Sequence, residues 1–294
     1  MMQKILWLFA FITSWTFAQV NVVTTYTYLG EIAKAIGGND VNVKVLASPK
    51  LDPHFIIPKP SLIPTLSRAD MLVANGAGLE IGWLPPLLKN ANNPKIAIGS
   101  QGFVDASQTI ILIDKPVSLS RAYGDIHPEG NPHFSTDPHN IVPIARMIAN
   151  KLSNLDPQHQ SAYQNRLANF TTQWNAFLMQ FDNKIHSCKG KKVVQYHQLY
   201  NYLLKRYNIQ AVATIEPLPG IAPSSKHIME VIDTMQQQHV HTILQDPYHE
   251  KKTASFIASK TGAIVKVIPH DVGNIEGTDS LKTFYKTIAD RLCQ

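Results

Sequence analysis

The 294 residues suffice for two α/β units of ordinary domain size. With 44% hydrophobic and 16% charged residues, the composition is that of a globular protein and excludes a disordered chain. The net charge of +6 is scattered apart from Lys189, Lys191 and Lys192, and no aromatic-basic platform or reading helix goes with it, so no nucleic acid is expected as a partner.

The first eighteen residues read as a signal peptide. Lys4 supplies a basic start, residues 5–15 an apolar run, and Thr16-Phe17-Ala18 the small residues a signal peptidase needs. The run is too short for a comfortable membrane span. The mature chain is expected to begin near Gln19 in a Gram-negative periplasm. No cysteine follows the cleavage point, so no lipid anchor is expected. In that oxidising compartment Cys188 and Cys293, the only two cysteines, either pair or stand as separate thiols.

From residue 19 to 155, β-branched runs at 20–24, 41–47, 70–75, 95–98 and 110–113 read as strands. Helical patterns lie between and after them at 28–36, 60–68, 80–89 and 138–152, the last opened by Asp137 as N-cap and Pro138 at N1. Residues 157–185 then carry an unbroken helical pattern through Tyr163, Leu167, Phe170, Trp174, Phe177, Phe181 and Ile185. No Gly or Pro interrupts it, which describes a rigid strut. Residues 188–294 resume the alternation, with strands at 193–196, 211–215, 241–245 and 264–268 and helices at 198–207, 224–238, 250–261 and 278–292. Ser225 reads as an N-cap after a stiff loop of Pro217, Pro219, Gly220 and Pro223. The fold class is therefore α/β: two lobes (19–155 and 188–294), each with a parallel sheet flanked by helices, joined by one long helix over 156–187.

The chemistry gathers at strand ends, where open parallel sheets bind their ligands. Lys192-Val-Val-Gln-Tyr-His197 is a short buried strand ending on a histidine. Asp52-Pro53-His54 and Asn131-Pro132-His133 place two more histidines on turns, each behind a proline that restricts the residue before it. Three imidazoles from distant segments point to a metal site, and imidazole nitrogen suits Zn²⁺. Singly, each would more often be an ordinary core or surface histidine.

Those residues, with Phe55, Pro60-Ser61, Ala69-Asp70, Asn75-Gly76, Leu79-Glu80, Asp137-Pro138, Tyr196 and Thr261-Gly262-Ala263, resemble the periplasmic zinc- and manganese-binding proteins of ABC importers, the ZnuA-like cluster. The resemblance covers nearly all of the mature chain. It implies His54, His133 and His197 as metal ligands in a cleft between the lobes, with a carboxylate after the last strand, Asp271, as the fourth. His270, Glu216 and water compete for that fourth place. Relatives specific for zinc often carry a long His/Asp/Glu-rich loop before the second histidine. Here residues 115–130 keep only Asp125, His127 and Glu129, a reduced metal-collecting loop or a surface turn. His139 is expected to be a solvated helix residue.

The function so implied is capture of Zn²⁺ by a monomer, without catalysis, for delivery to a cognate ABC permease and ATPase. Manganese would ask for more oxygen ligands, and relatives of the manganese type more often place a glutamate where His197 stands. A manganese-binding relative and a surface adhesin on the same fold are the alternatives. A zinc hydrolase would need an open metal position and a general base, for which Glu216 is the only candidate, and no HExxH pair is present.

Overall fold

The computed structural model describes residues 19–116, 127–218 and 220–294. The leader expected at 1–18, Asp125 and Pro219 lie outside the described residues.

Among the described residues, eight strands form two parallel sheets. β1 (Val20–Thr24), β2 (Val41–Val45), β3 (Met71–Ala74) and β4 (Phe103–Asp105) make the first, in the order β2-β1-β3-β4. β5 (Lys192–Gln195), β6 (Gln210–Thr214), β7 (Thr242–Gln245) and β8 (Ile264–Val267) make the second, in the order β6-β5-β7-β8. All four residues of β3 are buried, as are three of the four in β5, because helices cover both faces of a parallel sheet and leave few positions for water. In each sheet the first strand lies between the next two, so the winding reverses beside β1 and beside β5. Loops diverge from the carboxyl ends at such a point and leave a crevice.

The helices are α1 (Thr27–Gly37), α2 (Ile63–Ser67), α3 (Leu84–Ala91), α4 (Ile141–Leu155), α5 (Gln160–Ile185), α6 (Asn201–Arg206), α7 (Ser225–Gln237), α8 (Lys251–Thr261) and α9 (Leu281–Cys293). No described helix is long and apolar enough to cross a membrane. α5 has 26 residues, about 39 Å at 1.5 Å per residue. Near its start Arg166 meets Asp40 at 2.6 Å and the Gly37 carbonyl at 2.7 Å, beside α1. Trp174 donates its indole N–H to the Pro138 carbonyl at 2.9 Å and sets its ring against Tyr285 of α9. Near its end Lys184 pairs with Asp290 of α9. One apolar core, from Val22 and Ile32 through Ile144 and Trp174 to Leu203 and Phe284, runs through both halves, while Val194, Ile215, Ile232 and Ile257 form a smaller one under the outer face of the second sheet. A disulfide joins Cys188, just past α5, to Cys293 at the end of α9.

Five expectations are corrected. Residues 95–98 are not a strand: Asn93 accepts the Lys95 N–H and Pro94 lacks a ladder donor, so Pro94–Ile96 is a 3-10 turn. The fourth strand is instead Phe103–Asp105, too short to show a period. Residues 110–113 are extended but unpaired, and the Ile113 carbonyl accepts the Asn131 N–H at 2.8 Å. The helix expected from 80 begins at Leu84, because the Glu80 carboxylate folds back onto the N–H groups of Asn75 (2.7 Å) and Gly76 (3.1 Å). Gly76 has φ +82°, and a Cβ there would collide with the Asp105 carboxylate. The N-cap of α7 is Ser224, not Ser225. His139, expected to be solvated, is half-buried and lies 3.0 Å from Asp182 of α5 and 3.1 Å from the Tyr207 hydroxyl.

Candidate metal centre

Each of the three histidines is positioned by a short local device. On the loop after β2, Asp52 accepts the His54 backbone N–H at 2.9 Å and lies 2.8 Å from its Nδ1. Tyr26, immediately before α1, donates to the Pro53 carbonyl at 3.0 Å and fixes the turn. Asn131 accepts the His133 N–H at 2.9 Å and donates to the Gln198 carbonyl at 2.9 Å, tying the second turn to the start of the second sheet's first crossover. His197 stands two residues past the end of β5. Its Nδ1 lies 2.6 Å from Glu216, which follows β6, the neighbouring strand.

The three rings converge. Their centroids are 5.0 Å apart for His54–His133, 5.3 Å for His54–His197 and 5.0 Å for His133–His197. One nitrogen from each lies within 4.8 Å of the others. The Nε2 atoms of His133 and His197 are 3.1 Å apart. Two ligands about 2.0–2.1 Å from a tetrahedral Zn²⁺ are separated by roughly 3.3 Å, so the spacing suits such an ion. With Asp52 on Nδ1 of His54, its Nε2 is buried without a partner. A buried nitrogen of that kind calls for an explanation, and a cation supplies one.

Electrostatics agree with ligand duty. Burial holds the His133 imidazole well below the usual histidine range, aided by the neighbouring charges of His54, His197 and His127. Burial likewise takes His127 down to about 3. Both are therefore neutral at neutral pH, the form a metal needs. Asp52 stays below the usual carboxylate range: burial raises it, but its bonds to His54 outweigh that.

Of the other residues singled out, His127 sits beside the group, its ring 5.3 Å from that of His54. Glu216 is close but faces the outer nitrogen of His197, and its other oxygen accepts the Gly220 N–H at 2.9 Å. Asp271 is not brought into the group. Its carboxylate accepts the N–H groups of Thr27 (3.0 Å), Tyr28 (2.9 Å) and Val272 (2.7 Å), capping α1 from the far half of the chain. Four N–H groups at a helix start lack intrahelical acceptors, and α1 has no acidic residue of its own there. His270 bonds Asn274 at 2.8 Å and packs edge-on against Tyr248 at 4.9 Å. The ring-orienting roles of Asp52 and Glu216 were missed in the sequence. Asp52 left a signal, an Asx residue two positions before the histidine. Glu216, nineteen residues from its partner, left none.

A cleft of about 160 Å³ reaches the group, lined by Asp114, His127, Asn131, His133, His197 and Leu218. Ring nitrogens converge there from both halves, with carboxylates behind two of them. This is an arrangement for holding a cation.

Comparison with known proteins agrees. The chain is 21% identical over 254 residues to the "Zinc-binding lipoprotein AdcA" of Streptococcus pneumoniae, covering 85% of this chain but only half of AdcA. It is 24% identical over 230 residues to the "Manganese ABC transporter substrate-binding lipoprotein PsaA" of the same species, covering 76% of this chain and 71% of PsaA. The fold superposes on the crystal structure of ZnuA with a TM-score of 0.75 at 24% identity, over 93% of this chain and 99% of that one. Residues 22–294 match the sequence profile described as "Zinc-uptake complex component A periplasmic", and the chain belongs to this family of substrate-binding proteins of metal ABC transporters.

Proposed function

We propose that this protein captures Zn²⁺ with His54, His133 and His197 and hands it to a cognate ABC permease with its ATPase. The observation that carries the reading is the donor set: three convergent imidazoles with Asp52 and Glu216 turned to the outer nitrogens. Carboxylates in that outer position orient the ring and raise its basicity without adding oxygen ligands. Manganese prefers oxygen, so an imidazole group favours zinc. A hydrolase is disfavoured, because both oxygens of Glu216, the general base the sequence offers, are already engaged, by His197 and Gly220. The chain works as an exported monomer in the periplasm, with its lobes clamped by the ion. Titration with Zn²⁺ and Mn²⁺ tests this: wild type is expected to take one zinc in preference to manganese, and His197→Ala to lose it. A variant that binds zinc as tightly as wild type overturns the reading.

A further inference from the structure

Among the described residues only His54, His133 and His197 bring ligand atoms within 4.8 Å of one another, and the residues nearest in chemistry are already committed. Asp271 caps α1, Glu216 and Asp52 hold ring nitrogens, and His270 is bonded to Asn274. His127 is different. Its ring centroid is 5.3 Å from that of His54, the separation that divides His54 from His197. It is 6.3 Å from that of His133. One edge of the ring faces Gly78, where Nδ1 would lie 3.3 Å from a Cβ on that residue. The other nitrogen, Nε2, is buried and has no hydrogen-bond partner, the condition also found at His54 Nε2. His127 thus shares with His54 a buried Nε2 that nothing engages.

We infer that His127 is the fourth ligand of the transported ion, closing an all-imidazole set of His54, His127, His133 and His197. The inference rests on the proposed zinc capture and narrows it. With four nitrogens and no carboxylate in contact with the ion, the set suits a tetrahedral divalent cation that accepts nitrogen donors and discriminates against the oxygen-seeking Mn²⁺. His127 also lines the cleft that leads to the group, together with His133 and His197.

X-ray absorption of the zinc-loaded protein counts imidazoles directly, and Co²⁺ substitution gives an independent optical signature of tetrahedral coordination. Wild type is expected to show four imidazoles. His127→Ala is expected to show three plus one oxygen, with zinc affinity lower by at least roughly 10- to 100-fold, since loss of an outer-layer partner alone costs that much. Its preference for zinc over manganese narrows as well. Asp271→Asn keeps the four-imidazole spectrum. Three imidazoles and a carboxylate in wild type, or an unchanged spectrum in His127→Ala, overturns the inference. If His127→Ala is unchanged while His197→Ala loses zinc, only this inference falls. If wild type binds no zinc, the capture reading falls too.

Discussion

Glu216 lies 2.6 Å from Nδ1 of His197, while Nε2 of the same ring stands 3.1 Å from Nε2 of His133. The carboxylate therefore selects the nitrogen offered to a ligand. Glu216→Gln is expected to fold normally and to lose zinc affinity by about 10- to 100-fold, because the amide orients the ring without the charge. Competition against a chelator measures this. Unaltered affinity would show that the contact does not tune the ring.

Zinc bound to the native state alone stabilises it by RT ln(1 + [L]/Kd), about 4 kcal/mol at a thousandfold excess over Kd. Wild type is expected to gain several degrees in melting temperature with zinc. His54→Ala should lose that gain while its apo form melts close to wild-type apo, since His54 is on a loop outside the strands and helices. A full zinc-induced shift in His54→Ala would remove it from the ligand set.

The Cys188–Cys293 bond closes a separation of 105 residues. Constraining the unfolded chain over such a loop is worth up to about 4–5 kcal/mol. Thiol titration of denatured, unreduced protein is expected to find no free sulfhydryl, and Cys188→Ser/Cys293→Ser to unfold at lower denaturant. Two titratable thiols would contradict the bond.

Burial pushes the Glu80 carboxyl from 4.5 up to about 7, against hydrogen bonds from Thr25, Asn75 and Gly76 that lower it. The folded state thus holds a proton that the unfolded state has released, so this group's contribution falls as pH rises from about 4.5 to about 7, and is level on either side. Relative to wild type, Glu80→Gln is expected to gain roughly 3 kcal/mol across that window, at 1.36 kcal/mol per pKa unit. Denaturant unfolding of both apo proteins at pH 4 and 7.5 gives the difference. A constant difference would rule the mechanism out.

α5 has no Gly or Pro from Gln160 to Ile185, and it packs at one end beside Gly37 and at the other against α9. With one core running through both halves, metal release should proceed by loop movement, not lobe swing. Apo and zinc-loaded scattering curves are expected to coincide closely. A marked compaction on loading would count against this.

Much of the fold was legible because strand–helix alternation is a local signal. Runs such as 193–196 and 264–268, and the long stripe from Tyr163 to Ile185, carry their period in adjacent residues. The losses were where a side chain overruled the pattern. Pro94 and the Asn93 cap turned an apolar run into a 3-10 turn, and the Glu80 carboxylate delayed α3 by four residues. β4 has only three residues, too few to show any alternation.

The sequence by itself determined that His54 and His133 stand on turns behind a proline and that His197 stands beyond a strand, because proline and β-branched neighbours act on the backbone within a few residues. Which nitrogen each ring offers, and what becomes of the surrounding carboxylates, was decided only by the tertiary structure. Asp271 had the right chemistry for a ligand, yet it meets α1 across 243 residues of chain and is taken up by N–H groups that the helix leaves bare. Hydrogen-bond partners of a buried carboxylate are chosen by proximity in space, and spacing along the chain carries no record of that choice.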